Sequence, residues 1–97
     1  MNLGVNNVDQ LHIIVSGKVQ GVGFRYYTQM RAAQYGVTGW VKNMDDGSVE
    51  IIAVGQPEDL QLFIESIREG NPFSKVNNME IHTREKTDPY PSFKIKY

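Results

Sequence analysis

An α+β sandwich, with one antiparallel sheet carrying two helices on one face, is predicted by three features of this 97-residue chain. Strand-like alternation and helix-like runs succeed one another in the order β-α-β-β-α-β, followed by one more short strand-like run. The two middle strand-like runs meet at Asp46-Gly47, a hairpin signal because glycine accepts the positive φ that such turns need. Both helix-like runs stop at a glycine, Gly36 and Gly70. Split β-α-β units with right-handed crossovers then set the first and third strands side by side at the centre of the sheet.

Each element has its own warrant. Residues 1–10, MNLGVNNVDQ, are polar and Asn-rich and are expected to be a flexible leader before a single domain over 11–97. LHIIVSGK alternates, with Leu11, Ile13 and Val15 on one face of a half-buried strand. FRYYTQMRAAQY, from Phe24 to Tyr35, contains neither Gly nor Pro and gathers Phe24, Thr28, Ala32 and Tyr35 on one helical face. GWVKN and GSVEIIAVG flank the Asp-Gly turn as strands, and Trp40 is assigned to the core. Pro57 with Glu58 and Asp59 opens a second helix, since proline suits the first turn and acids favour the positive end of the dipole. Leu60, Phe63, Ile64 and Ile67 give that helix its buried stripe. NPFSK is a loop, VNNMEIHTRE an irregular strand with Val76, Met79 and Ile81 inward, TDPYPS a Pro-rich connection, and FKIKY a short final strand. The whole is a ferredoxin-like βαββαβ sandwich with a short C-terminal strand, a fold that serves many functions.

Composition narrows those functions. A formal net charge of −1 argues against general affinity for nucleic acid or for anionic membrane surfaces. There is no cysteine, so thiol chemistry is excluded. No apolar run suits a membrane span or a signal peptide, and the expected compartment is the cytoplasm. His12 and His82 sit in separate strands as solvent-facing residues without neighbouring ligand-type side chains, so no metal or other cofactor is expected.

The stretch GKVQGVGFR, Gly17 to Arg25, holds the chemistry. Its spacing, Gly17-xxx-Gly21-x-Gly23, matches neither the dinucleotide fingerprint nor the Walker loop. It suits a small tetrahedral anion. Glycines let successive N–H groups converge, the loop feeds a helix N-terminus, and Arg25 in the first turn can lay a planar fork against two phosphate oxygens. An arginine there opposes the helix dipole, a small penalty that a specific anion offsets.

VQGVGFR at 19–25, GWVKN at 39–43 and DGSVE at 46–50 together resemble the acylphosphatase family. The resemblance extends over 11–97 and departs at Asn71-Pro72-Phe73-Ser74, where many members carry Gly-Pro followed by small residues. That departure is assigned to a loop outside the phosphate site. The resemblance implies hydrolysis of the carboxyl–phosphate bond of an acyl phosphate to a carboxylate and inorganic phosphate. Lys18, Val19, Gln20, Gly21, Val22, Gly23 and Arg25 would hold the phosphoryl group, and Arg25 and Asn43 would be catalytic. Asn43 would orient the attacking water, and the proton would pass to the substrate's own phosphate, because an amide cannot remove one at neutral pH.

Read alone, Asn43 is simply a turn-former entering the hairpin; in register with the loop and Arg25 it becomes a site residue. The side chains of Lys18 and Lys42 are expected to be solvated, and Tyr26 and Tyr27 to flank the anion site, Tyr27 partly in packing. The expected partners are a small acyl phosphate, with inorganic phosphate as product and inhibitor, and the expected state is a monomer. A nucleic-acid-binding module would need aromatic residues on the central strands, and IIVSG and VEIIAV carry none. A small-molecule regulatory domain would need a dimer or a fused enzyme. No run marks an acyl pocket, which leaves the leaving group to project into solvent.

Overall fold

The computed structural model describes residues 8–85 and 88–97. Its elements are β1 (Asp9–Lys18), α1 (Phe24–Tyr35), β2 (Thr38–Asn43), β3 (Val49–Gly55), α2 (Pro57–Glu69), β4 (Lys75–Arg84) and β5 (Phe93–Lys96). The sheet order is β4-β1-β3-β2-β5, so β1 and β3 are neighbours, as the crossover argument requires. Three pairings are antiparallel, β1 with β3, β1 with β4 and β2 with β3. The last strand differs: β5 joins the outer edge of β2 in parallel. This is the ferredoxin-like sandwich with one edge strand added.

Alternation along the strands decides which side chains meet the helices. Leu11, Ile13 and Val15 of β1, Val41 of β2, and Val49, Ile51 and Ala53 of β3 are buried. Against them lie Phe24, Thr28 and Ala32 of α1 and Leu60, Phe63 and Ile67 of α2. Full burial of one such large apolar side chain contributes about 1.5–3 kcal/mol, and this layer holds the sandwich together. Thr28 is tolerated there because its hydroxyl donates to the Phe24 carbonyl at 2.8 Å. The C-terminal ends of β1, β2 and β5 and the N-terminal ends of β3 and β4 share one end of the sheet, where the β1–α1 loop and the β2–β3 hairpin also lie.

Two expectations need correction. The leader ends earlier than position 10: β1 begins at Asp9, and Gln10 is buried. The Gln10 amide receives the Asp88 N–H at 2.8 Å and donates to the Asp88 carboxylate at 3.3 Å. Polarity makes this segment resemble a leader, yet a polar side chain is readily buried once both ends are bonded. The remaining leader residues, 1–7, lie outside the described residues.

Trp40 is not in the core. With Gly39 and Val41 buried toward the helices, Trp40 and Lys42 take the open face of the sheet, where Lys96 places its Nζ 4.2 Å from the indole centroid. The aromatic ring is half-buried under a cation rather than under a helix. His82 is exposed, and His12 sits on the same open face with Nε2 2.7 Å from Glu50 Oε2.

Gly39 shows how closely β2 approaches β3. A Cβ at that position would collide with the Ile52 carbonyl oxygen, and the backbone holds φ at 132°. Gly39→Ala should therefore destabilise the fold by roughly 3 kcal/mol or more, because the backbone of a paired strand would have to move. Gly47 is the contrast: its φ is 94°, and a Cβ added there would meet no atom within 4 Å. Gly47→Ala should cost only about 1 kcal/mol of backbone strain. Denaturant titration of the two variants checks the difference, and equal losses would refute the steric account of Gly39.

Candidate active site

The β1–α1 loop, residues 19–23, begins with its one buried anchor. The Val19 side chain lies in the core, and the next four residues rise to the surface before Phe24 buries again. Gly21 and Gly23 take φ of 74° and 75°, the left-handed region that lets the chain turn back on itself and aim N–H groups inward. Gly23 is the N-cap of α1, and no side chain caps the helix. Among the described residues, the N–H groups of 20–23 donate to no protein acceptor, and those of Phe24, Arg25 and Tyr26 precede the first intrahelical bond, from Tyr27 to the Gly23 carbonyl at 3.0 Å.

α2 handles the same problem differently. Proline and two acids, Glu58 and Asp59, occupy its first turn, whereas α1 has no acid there and carries Arg25 instead. The start of α1 thus concentrates positive potential that nothing in its own first turn neutralises.

Arg25 is held from behind. Its Nη1 donates to the Lys96 carbonyl at 3.3 Å, and its guanidinium carbon stands 4.8 Å from the Tyr97 ring centroid. Among the described residues no carboxylate pairs with it, so most of its N–H donors remain for a ligand. A cleft of about 270 Å³ opens in front, lined by Val19, Gly21, Gly23, Arg25, Asn43 and Tyr26 together with the end of β5. Asn43, the last residue of β2, faces Arg25 across it, and the Asn43 Oδ1 is buried without a hydrogen-bond partner among the described residues. A buried acceptor left open costs stability unless something else fills it.

Five of the residues selected from sequence therefore share the cleft: Val19, Gly21, Gly23, Arg25 and Asn43. Lys18, Gln20 and Val22 do not line it. Lys18 pairs with Lys75 at the start of β4 and is exposed, as is Lys42. The Gln20 side chain turns away from the loop and donates from Nε2 to the carbonyls of both Met44 and Ser48, each at 2.8 Å. It ties the loop to the hairpin that carries Asn43. Within that hairpin Asp46 Oδ1 accepts the Ser48 hydroxyl at 2.5 Å and the Ser48 N–H at 2.9 Å, which hold its carboxyl below the usual carboxylate range.

Val22 is braced from the other side, where Asn71 Nδ2 donates to the Val22 carbonyl at 2.8 Å. The Asn71 segment, assigned from sequence to a loop outside the phosphate site, is thus a support of the β1–α1 loop. Tyr26 lines the cleft, and Tyr27 leaves it to bond the Ser66 carbonyl at 2.7 Å. The sequence offers no signal for the Gln20 and Asn71 braces or for the grip of β5 on Arg25. All three join residues 24 or more positions apart.

Removing the Gln20 brace tests its structural role directly. Gln20→Ala removes two hydrogen bonds, to carbonyl groups that keep the backbone donors of Gly47 and Met44, and at about 0.5–1.5 kcal/mol each this should lower unfolding free energy by about 1–3 kcal/mol. The Met44 amide, bonded to the Ser48 carbonyl at 2.8 Å, should exchange with solvent faster than in the parent. Unchanged exchange at Met44 would show that the hairpin stands without the brace.

Comparison with other proteins shows the family to which this fold belongs. The acylphosphatase family model covers residues 11–95. An acylphosphatase of Bacillus velezensis is 50% identical over 88 residues, 91% of this chain and 98% of that protein. The crystal structure of acylphosphatase from Bacillus subtilis superposes with a TM-score of 0.90 at 47% identity, covering 92% of this chain and 99% of that one. An acylphosphatase from Coxiella burnetii gives a TM-score of 0.88 at 36% identity, over 93% and 94% of the two chains. With the match running through loop, hairpin and both helices, this chain belongs to the acylphosphatase family and is an enzyme of the hydrolase class.

Proposed function

We propose that the cleft binds the phosphoryl group of an acyl phosphate and hydrolyses it without a metal, with Arg25 and Asn43 as the catalytic residues. The observation that carries this assignment is the convergence of two unlike groups on one cleft: an arginine with free donors and a buried amide oxygen with no partner among the described residues. The converging N–H groups of 20–26 and the Arg25 fork receive the non-bridging oxygens of the phosphoryl group. Fixed donors of this kind stabilise the charge that phosphoryl transfer spreads over those oxygens.

Asn43 Oδ1 accepts a hydrogen bond from water and directs its oxygen at the phosphorus. As the new P–O bond forms, the bond to the carboxyl oxygen breaks and its electron pair leaves with the carboxylate. The water proton passes to the phosphate. Arg25 is itself oriented by the Lys96 carbonyl and the Tyr97 ring, so it is pre-set for two-point contact. Of the residues assigned to the phosphate from sequence, Gln20 contributes its backbone N–H while its side chain braces the hairpin; Lys18 adds long-range charge only.

The assignment extends to the setting. Inorganic phosphate, as product, occupies the same donors and inhibits. The enzyme acts as a cytoplasmic monomer on the sequence grounds above, and no helix among the described residues is long and apolar enough to cross a membrane.

Three variants test the two roles together. Arg25→Ala should abolish turnover and phosphate binding while the fold survives, and Arg25→Lys should restore little, since an ammonium lacks the fork. Asn43→Ala should lose about 10²–10³-fold in catalytic constant and keep phosphate affinity near the parent value. Turnover, phosphate titration and thermal denaturation on the same samples separate these effects. Normal turnover in folded Asn43→Ala would remove its water-orienting role.

Metal independence has its own check. Among the described residues no three His, Cys, Asp or Glu side chains gather into a ligand set. Turnover should accordingly continue in excess chelator; loss that one divalent ion restores would refute the metal-free reading.

A further inference from the structure

A second concavity adjoins the cleft and has no part in holding phosphate. It is a groove of about 520 Å³ between α1 and the edge strand β5, and it shares Tyr26 with the cleft. Tyr26, Met30 and Ala33 lie at i, i+4 and i+7 of α1, one stripe along the helix. At a rise of 1.5 Å per residue that stripe runs about 10 Å away from the anion loop. Phe93 of β5 forms the opposite wall, and the Gln29 amide donates to the Phe93 carbonyl at 3.2 Å across the floor. Among the described residues no charged side chain lines the groove. Tyr26 is 63% and Met30 49% exposed, a large apolar surface for side chains that the core does not use.

Its position beside the cleft matters as much as its composition. The water-orienting residue, Asn43, ends β2, while the far end of the groove is at Thr38, where β2 begins. In-line displacement places the leaving oxygen across the phosphorus from the water. The leaving group departs on the side away from the water, and the groove, which meets the cleft at Tyr26 and runs along α1 toward Met30 and Thr38, is an apolar surface adjoining the cleft that can receive it.

We propose that this groove is the acyl subsite, taking an uncharged, apolar acyl group, aliphatic or aromatic, against Tyr26, Met30 and Ala33. The inference rests on the phosphate reading of the adjoining cleft and adds a substrate class to it. Acyl groups with a second charge are disfavoured, because the groove offers that charge no partner. Met30 suits the task, since an unbranched thioether adapts to ligands of different shape.

The test is a chain-length series of acetyl, butyryl and octanoyl phosphate with the parent enzyme and with Met30→Glu and Ala33→Glu. For the parent, kcat/KM should rise by about twofold per methylene, carried by KM, as expected for partial burial of the chain. Both variants alter exposed helix positions outside the cleft. They should keep acetyl phosphate turnover within about twofold, which also reports folding, and raise KM for octanoyl phosphate about tenfold. A parent without chain-length preference, or a preference that both variants retain, would overturn the acyl subsite and leave the phosphate site standing. Failure to hydrolyse any acyl phosphate would instead defeat the phosphate reading, and the subsite with it.

Discussion

The start of α1 is an uncapped helix end, and most of the local architecture follows from keeping it so. Free N–H groups at a helix terminus are ordinarily satisfied by a Ser, Thr, Asp or Asn side chain. Here a glycine in the left-handed region occupies the cap position, and the first turn has a cation where an anion would be favourable. The arrangement is stable only because neighbouring segments hold the loop open rather than letting it fold onto itself. Gln20 fastens it to the hairpin, Asn71 fastens its end near α2, and Val19 and Phe24 anchor both flanks in the core. Among the described residues the chain itself supplies no anionic partner to this helix end.

Local rules make much of this legible in the sequence. α1 and α2 are readable to the residue because glycine, proline and acids mark their ends at short range, and the Asp46-Gly47 hairpin because two positions determine it. Arg25 stands out in the first turn of α1 because a cation there opposes the dipole, whereas Asn43 alone reads as a turn-former and is singled out only in register with the loop and Arg25; both line the cleft. The errors arise where a short window is the wrong tool. Hydrophobicity alone places Trp40 inside, although strict alternation with Gly39 and Val41 sends it outward with Lys42. Gln10 reads as part of a leader because its partner, Asp88, lies 78 positions away.

The side-chain roles of Gln20 and Asn71 are hidden for the same reason. A glutamine in a Gly-rich turn is chemically plausible as a phosphate ligand, and only the hairpin folded over it shows that its amide is engaged. Asn71 lies at a departure from the common family pattern, yet it supports the loop from a position next to Gly23.

The parallel pairing of β5 with β2 also orders events in time. Arg25 leans on Lys96 and Tyr97, which leave the ribosome after every other described element has been made. A nascent chain can build the β1–β4 sheet and bury most of the core before this strand exists. The guanidinium then has no backing, and its long side chain samples many rotamers. Closure of the edge by β5 is thus the step that gives the Arg25 guanidinium a fixed place in a cleft whose other walls are already built.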